Sequence, residues 1–94
     1  MTDVKRYKAT LTGRVQGVGL RFFTMENANK LDITGWVKNM ADGTVTMEMQ
    51  GKDSAITELA NILKKGNFII KVETFTAEEI TVVEGEKAFI IKNW

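Results

Sequence analysis

The chain has 94 residues, of which 44% are hydrophobic, and its 13 basic and 12 acidic residues leave a formal net charge of +1. That length predicts one domain over residues 1–94. The small net charge disfavours electrostatic binding of nucleic acid. Cysteine and histidine are absent, which excludes disulfides, thiolate nucleophiles, soft metal sites and the commonest general base. We therefore expect a small-molecule partner.

The chain shows no pattern of a membrane or secreted protein. No apolar run approaches the roughly 20 residues that span a bilayer, and the first six residues lack the apolar stretch of a signal peptide. Lys5, Arg6 and Lys8 form a short basic start, which we expect to be solvated. A cytoplasmic monomer without a membrane partner is predicted.

The first half of the chain predicts a strand, a helix and a hairpin. Apolar and polar residues alternate over residues 7–15, as in a half-buried strand. From Leu20 to Leu31 apolar residues recur at helical spacing. Residues 33–38 and 45–50 then read as two strands. Asp42-Gly43 between them favours a hairpin that makes the two strands antiparallel neighbours.

The second half predicts a helix and further strands. An apolar stripe covers residues 56–63, with Asp53 or Ser54 as possible caps and Gly66 as the stop. Residues 69–76 and 88–92 read as strands, separated by an acidic loop over residues 78–87. Four aromatic residues are expected to pack in or near the core: Trp36, Phe68, Phe75 and Phe89.

This order predicts an α+β fold, a ferredoxin-like βαββαβ sandwich with an antiparallel sheet and both helices on one face. A further C-terminal strand is possible. The same fold serves RNA binding, regulation, metal transfer and catalysis, so it does not decide the function.

A glycine-rich segment lies where the first strand gives way to the first helix, and it reads Gly13-Arg14-Val15-Gln16-Gly17-Val18-Gly19-Leu20-Arg21. Free amides and the helix dipole favour an anion at such a helix N-terminus, and Arg21 adds a planar cation with several donors. The spacing excludes a Walker loop and the dinucleotide fingerprint. By spacing alone, an ordinary turn followed by a solvated arginine is the commoner outcome.

The whole segment resembles the signature of the acylphosphatase family, Gly-x-Val-Gln-Gly-Val-x-Leu-Arg. A second stretch resembles that family's other signature: Gly35-Trp36-Val37-Lys38-Asn39 followed by Asp42-Gly43-Thr44-Val45. The resemblance implies an enzyme that hydrolyses an acyl phosphate to a carboxylate and inorganic phosphate, without a metal or a cofactor. Inorganic phosphate would then be the product and an inhibitor.

The resemblance also implies the site residues. Arg21 would bind the phosphoryl group together with a loop of five residues: Gln16, Gly17, Val18, Gly19 and Leu20. Asn39 would orient the attacking water, although an asparagine beside an Asp-Gly turn is also a common turn residue. Two positions depart from the usual pattern, because Leu20 stands where phenylalanine is common and Met40 where some members carry threonine.

Alternatives remain open. An RNA-binding module has the same topology but needs exposed aromatic residues on the sheet, whereas Thr46, Glu48 and Gln50 occupy the polar side of the third strand. A catalytically silent accessory domain of a larger carbamoyl-transferring enzyme would be a longer chain. Phe22 and Met25 lie off the main stripe of the first helix, where they would either border the acyl part of a substrate or form partly exposed surface.

Overall fold

The structure is a computed structural model that describes residues 4–93 of the chain. The prediction that the first six residues are not part of a signal peptide concerns residues 1–3 as well, and these lie outside the described residues. Seven elements follow one another: β1 (Val4–Arg14), α1 (Leu20–Lys30), β2 (Thr34–Asn39), β3 (Val45–Lys52), α2 (Asp53–Lys65), β4 (Lys71–Ile80) and β5 (Phe89–Lys92).

The strands form one five-stranded sheet in the order β4-β1-β3-β2-β5. β1 pairs antiparallel with β3 and β4, and β2 pairs antiparallel with β3. The ferredoxin-like α+β fold is therefore confirmed, as is the hairpin of β2 and β3. The four strands of the βαββαβ unit pair antiparallel as expected, and the possible further C-terminal strand forms as β5, which joins the edge of β2 in parallel and makes the sheet mixed. The β4–β5 connection crosses from one edge of the sheet to the other, and β5 runs opposite to β4 and in the direction of β2.

The core lies between the helices and one face of the sheet. Alternation along β1 and β3 directs Ala9, Leu11 and Met47 to this face, where each is at most 1% exposed. The helices contribute the stripes that the sequence predicted, with Leu20, Thr24 and Ala28 buried on α1 and Ile56, Leu59 and Leu63 on α2. Within residues 4–93, neither helix is long and apolar enough to cross a membrane.

Three local expectations are wrong. β4 continues to Ile80 because residues 78–80 pair with β1, so they do not belong to the loop. α2 begins at Asp53 without a side-chain cap. Phe68 is 97% exposed in the α2–β4 loop, whereas Phe89 is buried as expected.

Arg6 is not solvated, contrary to the expectation for the basic start. It lies on the sheet face away from the helices and is only 2% exposed. Its Nη1 and Nη2 donate to the two carboxylate oxygens of Glu86 at 2.8 and 3.3 Å, and its Nε donates to Glu48 Oε1 at 2.9 Å. Gln50 Oε1 accepts a further bond from Nη1 at 3.0 Å. The β4–β5 connection thus folds over this face and buries the guanidinium among acceptors.

The pairing shifts the pKa values of both charged partners. Burial opposes the charged form of each group, but hydrogen bonds and opposite charges outweigh it. The pKa of Arg6 is raised by Glu86 and Glu48 despite its desolvation. The pKa of Glu86 is lowered, because hydrogen bonds from Arg6 and Thr34 and the charges of Arg6 and Lys92 exceed the effect of burial.

Replacement of Glu86 by glutamine is expected to lower the free energy of unfolding at neutral pH by about 2 kcal/mol, since a charge-assisted, two-pronged pair with Arg6 is lost. The folded pKa of Glu86 lies below its unfolded value, so the pair stabilises above pH about 4.3 and its contribution is lost as the pH falls. Denaturant unfolding of both proteins should therefore show that the difference between their free energies of unfolding becomes smaller as the pH is lowered.

Glu84→Gln is the matched control, because Glu84 is an exposed carboxylate in the same connection. It should change the stability little at any pH. An equal loss from both substitutions would show that the connection responds to net charge and not to the pairing with Arg6.

Candidate active site

The glycine-rich segment, the end of β2 and the end of β5 meet at one end of the sheet. β1 runs into the segment, and the parallel pairing of β2 with β5 sets Lys38 opposite Lys92, so Asn39 and Asn93 follow at neighbouring strand ends. A cleft of about 330 Å³ opens there. Its lining residues are Val15, Gly17, Gly19, Leu20, Arg21, Phe22, Asn39, Ile91 and Asn93.

Two glycines shape the segment beside the cleft. Gly17 and Gly19 have φ values of 72° and 79°, in the left-handed region that other residues adopt only with strain. A Cβ at either position would meet no atom within 4 Å. Glycine is thus favoured here by backbone conformation, and the space beside both positions is open to a ligand.

The N-terminus of α1 opens into the cleft with its amides uncapped. A bond from Phe23 N to Gly19 O at 3.0 Å closes the first turn, and the first four amides of a helix have no acceptor within it. The cap residue Gly19 has no side chain to accept from them, and the first turn carries no acidic residue. These groups form a positive end that favours an anion.

Arg21 supplies a full positive charge at the same helix end. Its side chain is half-buried and lines the cleft. Its Nη1 donates to Asn93 Oδ1 at 2.9 Å, which anchors one side of the guanidinium. The planar guanidinium has five N–H donors in all, so it can hold Asn93 and still donate to a bound anion.

Asn39 contributes a polar group from the opposite element. Alternation along β2 places it on the face of the buried Val37, beneath α1 and at the edge of the cleft. Its Oδ1 is buried and accepts no hydrogen bond from the described residues, 4–93. A buried acceptor without a donor is costly, so this oxygen needs a donor that the described residues do not supply.

Most of the chain matches one known family, because residues 7–91 align with the family described as Acylphosphatase. The chain belongs to the acylphosphatase family. An acylphosphatase of Clostridium beijerinckii is 44% identical over 87 residues, which cover 93% of this chain and 97% of that protein. An acylphosphatase of Geobacillus thermodenitrificans is 43% identical over 88 residues, with 94% of both chains covered.

Solved structures show the same relationship. The crystal structure of acylphosphatase from Bacillus subtilis superposes with a TM-score of 0.88 at 35% identity, covering 94% of this chain and 98% of that one. The structure of T. kodakarensis HypF matches with a TM-score of 0.82 at 27% identity, covering 94% of this chain but 12% of that one. The acylphosphatase fold therefore also occurs as a small part of a much longer protein.

The structure brings most of the predicted acylphosphatase site residues together. Arg21 and Asn39 line one cleft with Gly17, Gly19 and Leu20. Leu20 is 1% exposed, and its side chain belongs to the hydrophobic core. Gln16 and Val18 are not among the lining residues, and their part in phosphoryl binding stays a prediction.

The side chain of Gln16 has a role that the sequence did not indicate. Its Nε2 donates to Met40 O and Thr44 O, both at 2.8 Å. The turn that receives it is itself ordered, because Thr44 donates through N and Oγ1 to Asp42 and thereby lowers the pKa of that carboxyl. Gln16 thus links the glycine-rich segment to the turn that follows Asn39, on the other side of the acylphosphatase cleft.

Outside the glycine-rich segment, two lining residues were missed by the sequence interpretation. Asn93 and Ile91 reach the cleft because β5 pairs beside β2, and no sequence motif of the acylphosphatase chain marks that pairing. Within residues 4–93, no cluster of three or more acidic, histidine or cysteine residues could hold a metal ion.

Proposed function

We propose that this chain hydrolyses acyl phosphates, with the phosphoryl group bound at the α1 N-terminus and Arg21, and with the attacking water held by Asn39. The observation that carries the proposal is that Asn39 and Arg21 line the same cleft, and that the buried Oδ1 of Asn39 lacks a donor in the described residues. A water that donates to this oxygen would be held beside a phosphoryl group bound to Arg21. Family membership supports the reaction class.

The proposed reaction is one displacement at phosphorus. The water oxygen forms a bond to phosphorus while the bond between phosphorus and the bridging oxygen breaks. The carboxylate leaves with that electron pair. One water proton stays on the inorganic phosphate and the other goes to solvent.

The residues present suit this chemistry without an acid catalyst. The leaving carboxylate has a conjugate acid with a pKa of roughly 4, so it needs no proton when it departs. A loose phosphoryl-transfer transition state mainly requires orientation and charge stabilisation. The amides at Gly19 and after it, together with Arg21, supply donors to the phosphoryl oxygens, and Asn39 can accept from the water without carrying a charge.

The remaining properties follow as proposals from the same chemistry. Inorganic phosphate is the product and should inhibit by occupying the site of the phosphoryl group. Residues 1–94 are proposed to act as one domain and as a monomer in the cytoplasm, without a metal, a cofactor, a nucleic acid or a membrane partner. The net charge of +1 supports a small anionic substrate over a nucleic acid.

An assay on benzoyl phosphate, with p-nitrophenyl phosphate as the monoester control, tests the proposal. We expect turnover of benzoyl phosphate alone, at a rate that EDTA does not change, with competitive inhibition by inorganic phosphate. Activity lost in EDTA and restored by a divalent cation would contradict the metal-free mechanism. Absence of turnover would favour the silent accessory domain, and comparable monoester hydrolysis would contradict the reaction class.

A further inference from the structure

The cleft has an apolar portion that the phosphoryl group does not need. Four apolar side chains line it beside the polar groups: Val15, Leu20, Phe22 and Ile91. Val15 and Leu20 are each 1% exposed and offer little surface to a ligand. Phe22 is 60% exposed and Ile91 is half-buried, so these two provide the apolar surface that a bound molecule can cover.

The position of Phe22 links this surface to the reaction. Phe22 directly follows Arg21 in the first turn of α1, so both side chains leave the helix beside the uncapped amides. Single exposed apolar residues are common and need no explanation. Phe22 differs because it borders the cleft that contains the arginine and the helix N-terminus. An acyl group attached to a phosphoryl group in that cleft must extend toward its rim.

We infer that Phe22, with Ile91, binds the acyl group and gives the enzyme a preference for acyl phosphates with an aromatic or bulky apolar acyl part. This inference rests on the proposed function and names the substrate class of the same site. The ring covers the apolar part of the substrate while the polar half of the cleft holds the phosphoryl group. A small acyl group such as acetyl reaches less of the ring and gains less from it.

The preference predicts a substrate-dependent effect of Phe22→Ala. For benzoyl phosphate, kcat/KM should fall about tenfold, the scale of losing one aromatic contact with a ligand. For acetyl phosphate, kcat/KM should change less than about twofold, and the inhibition constant of inorganic phosphate should stay the same, since the polar half of the cleft is intact. Phe22→Leu should recover part of the loss for benzoyl phosphate.

Phe68→Ala is the matched control, because Phe68 is also a highly exposed phenylalanine but lies in the α2–β4 loop and does not line the cleft. Phe68→Ala should leave kcat/KM unchanged for both benzoyl phosphate and acetyl phosphate. The side chain of Phe22 is mostly exposed, so its removal should not unfold the protein, and thermal unfolding of each variant checks this.

The two levels of the proposal fail in different ways. If the unaltered protein hydrolyses both substrates but Phe22→Ala lowers both values of kcat/KM alike, or neither, the acyl-binding role is overturned and the proposed function stands. If Phe68→Ala lowers benzoyl phosphate hydrolysis as Phe22→Ala does, the role is likewise overturned. If the unaltered protein hydrolyses neither acyl phosphate, both proposals are overturned.

Discussion

Replacement of Arg21 by alanine is expected to abolish hydrolysis of benzoyl phosphate and to weaken inhibition by inorganic phosphate. Arg21 is the one basic residue among the described residues that line the cleft. In the variant, the amides of α1 alone would have to balance the charge of the phosphoryl group. Loss of an arginine that stabilises a phosphoryl transition state costs about 10³-fold or more in rate. Steady-state kinetics with phosphate as a competitive inhibitor measure both effects.

Two other substitutions, which should cause smaller losses of activity, test the role of Arg21 further. Arg21→Lys keeps the charge but loses the planar fork, so it should recover only part of the activity. Asn93→Ala removes the acceptor at 2.9 Å that anchors Nη1, so it should give a smaller loss than Arg21→Ala. Arg14 is exposed at the end of β1 and outside the cleft, and its replacement by alanine serves as a control for net charge. Retained turnover in Arg21→Ala would refute the assignment of the phosphoryl site.

Replacement of Asn39 by alanine should lower kcat by about 10²-fold, the scale of losing one oriented polar group in an active site. The inhibition constant of inorganic phosphate should change by less than about twofold, because the groups that bind the phosphoryl oxygens are untouched. This split between kcat and phosphate affinity is the measurement that separates a water-orienting residue from a binding residue.

The alternative role of Asn39, as a turn residue at the end of β2, predicts a different pattern. A structural residue would lower the stability, and kcat would fall only as far as the fold is disturbed. Its Oδ1 accepts no hydrogen bond from the described residues, so alanine should not lower the free energy of unfolding by removing a bond to that atom. A large rise in the phosphate inhibition constant would instead make Asn39 a direct phosphate ligand.

The local elements were predictable because short-range patterns govern them. Alternation along β1 and the stripe on α2 follow from one apolar face each, and Asp42-Gly43 indicated the hairpin that joins β2 to β3. The left-handed conformations of Gly17 and Gly19 agree with a glycine-rich bend between strand and helix. Resemblance to a family, and not spacing, singled out Arg21 and Asn39 within these elements.

Apart from the missing side-chain cap of α2, the errors concern contacts between residues that are distant along the chain. Arg6 was expected in solvent, but the β4–β5 connection supplies Glu86 and buries it. Phe68 was expected to pack, but none of the described elements covers its side chain, which stays exposed. The type of a single basic or aromatic residue does not indicate which loop will pack over it in the folded chain. Residue type therefore predicted the exposure of both side chains wrongly.

The sequence alone determined the class of fold and the glycine-rich segment, since both follow from patterns among neighbouring residues, and its resemblance to a family indicated the two residues at which the chemistry is proposed. Only the tertiary structure decided how they form a site. Parallel addition of β5 beside β2 brings Asn93 to Arg21 and Ile91 to the cleft, and the side chain of Gln16 fastens the segment to the turn after Asn39. These contacts join residues far apart along the chain, and they form only when the strands have taken their order in the sheet.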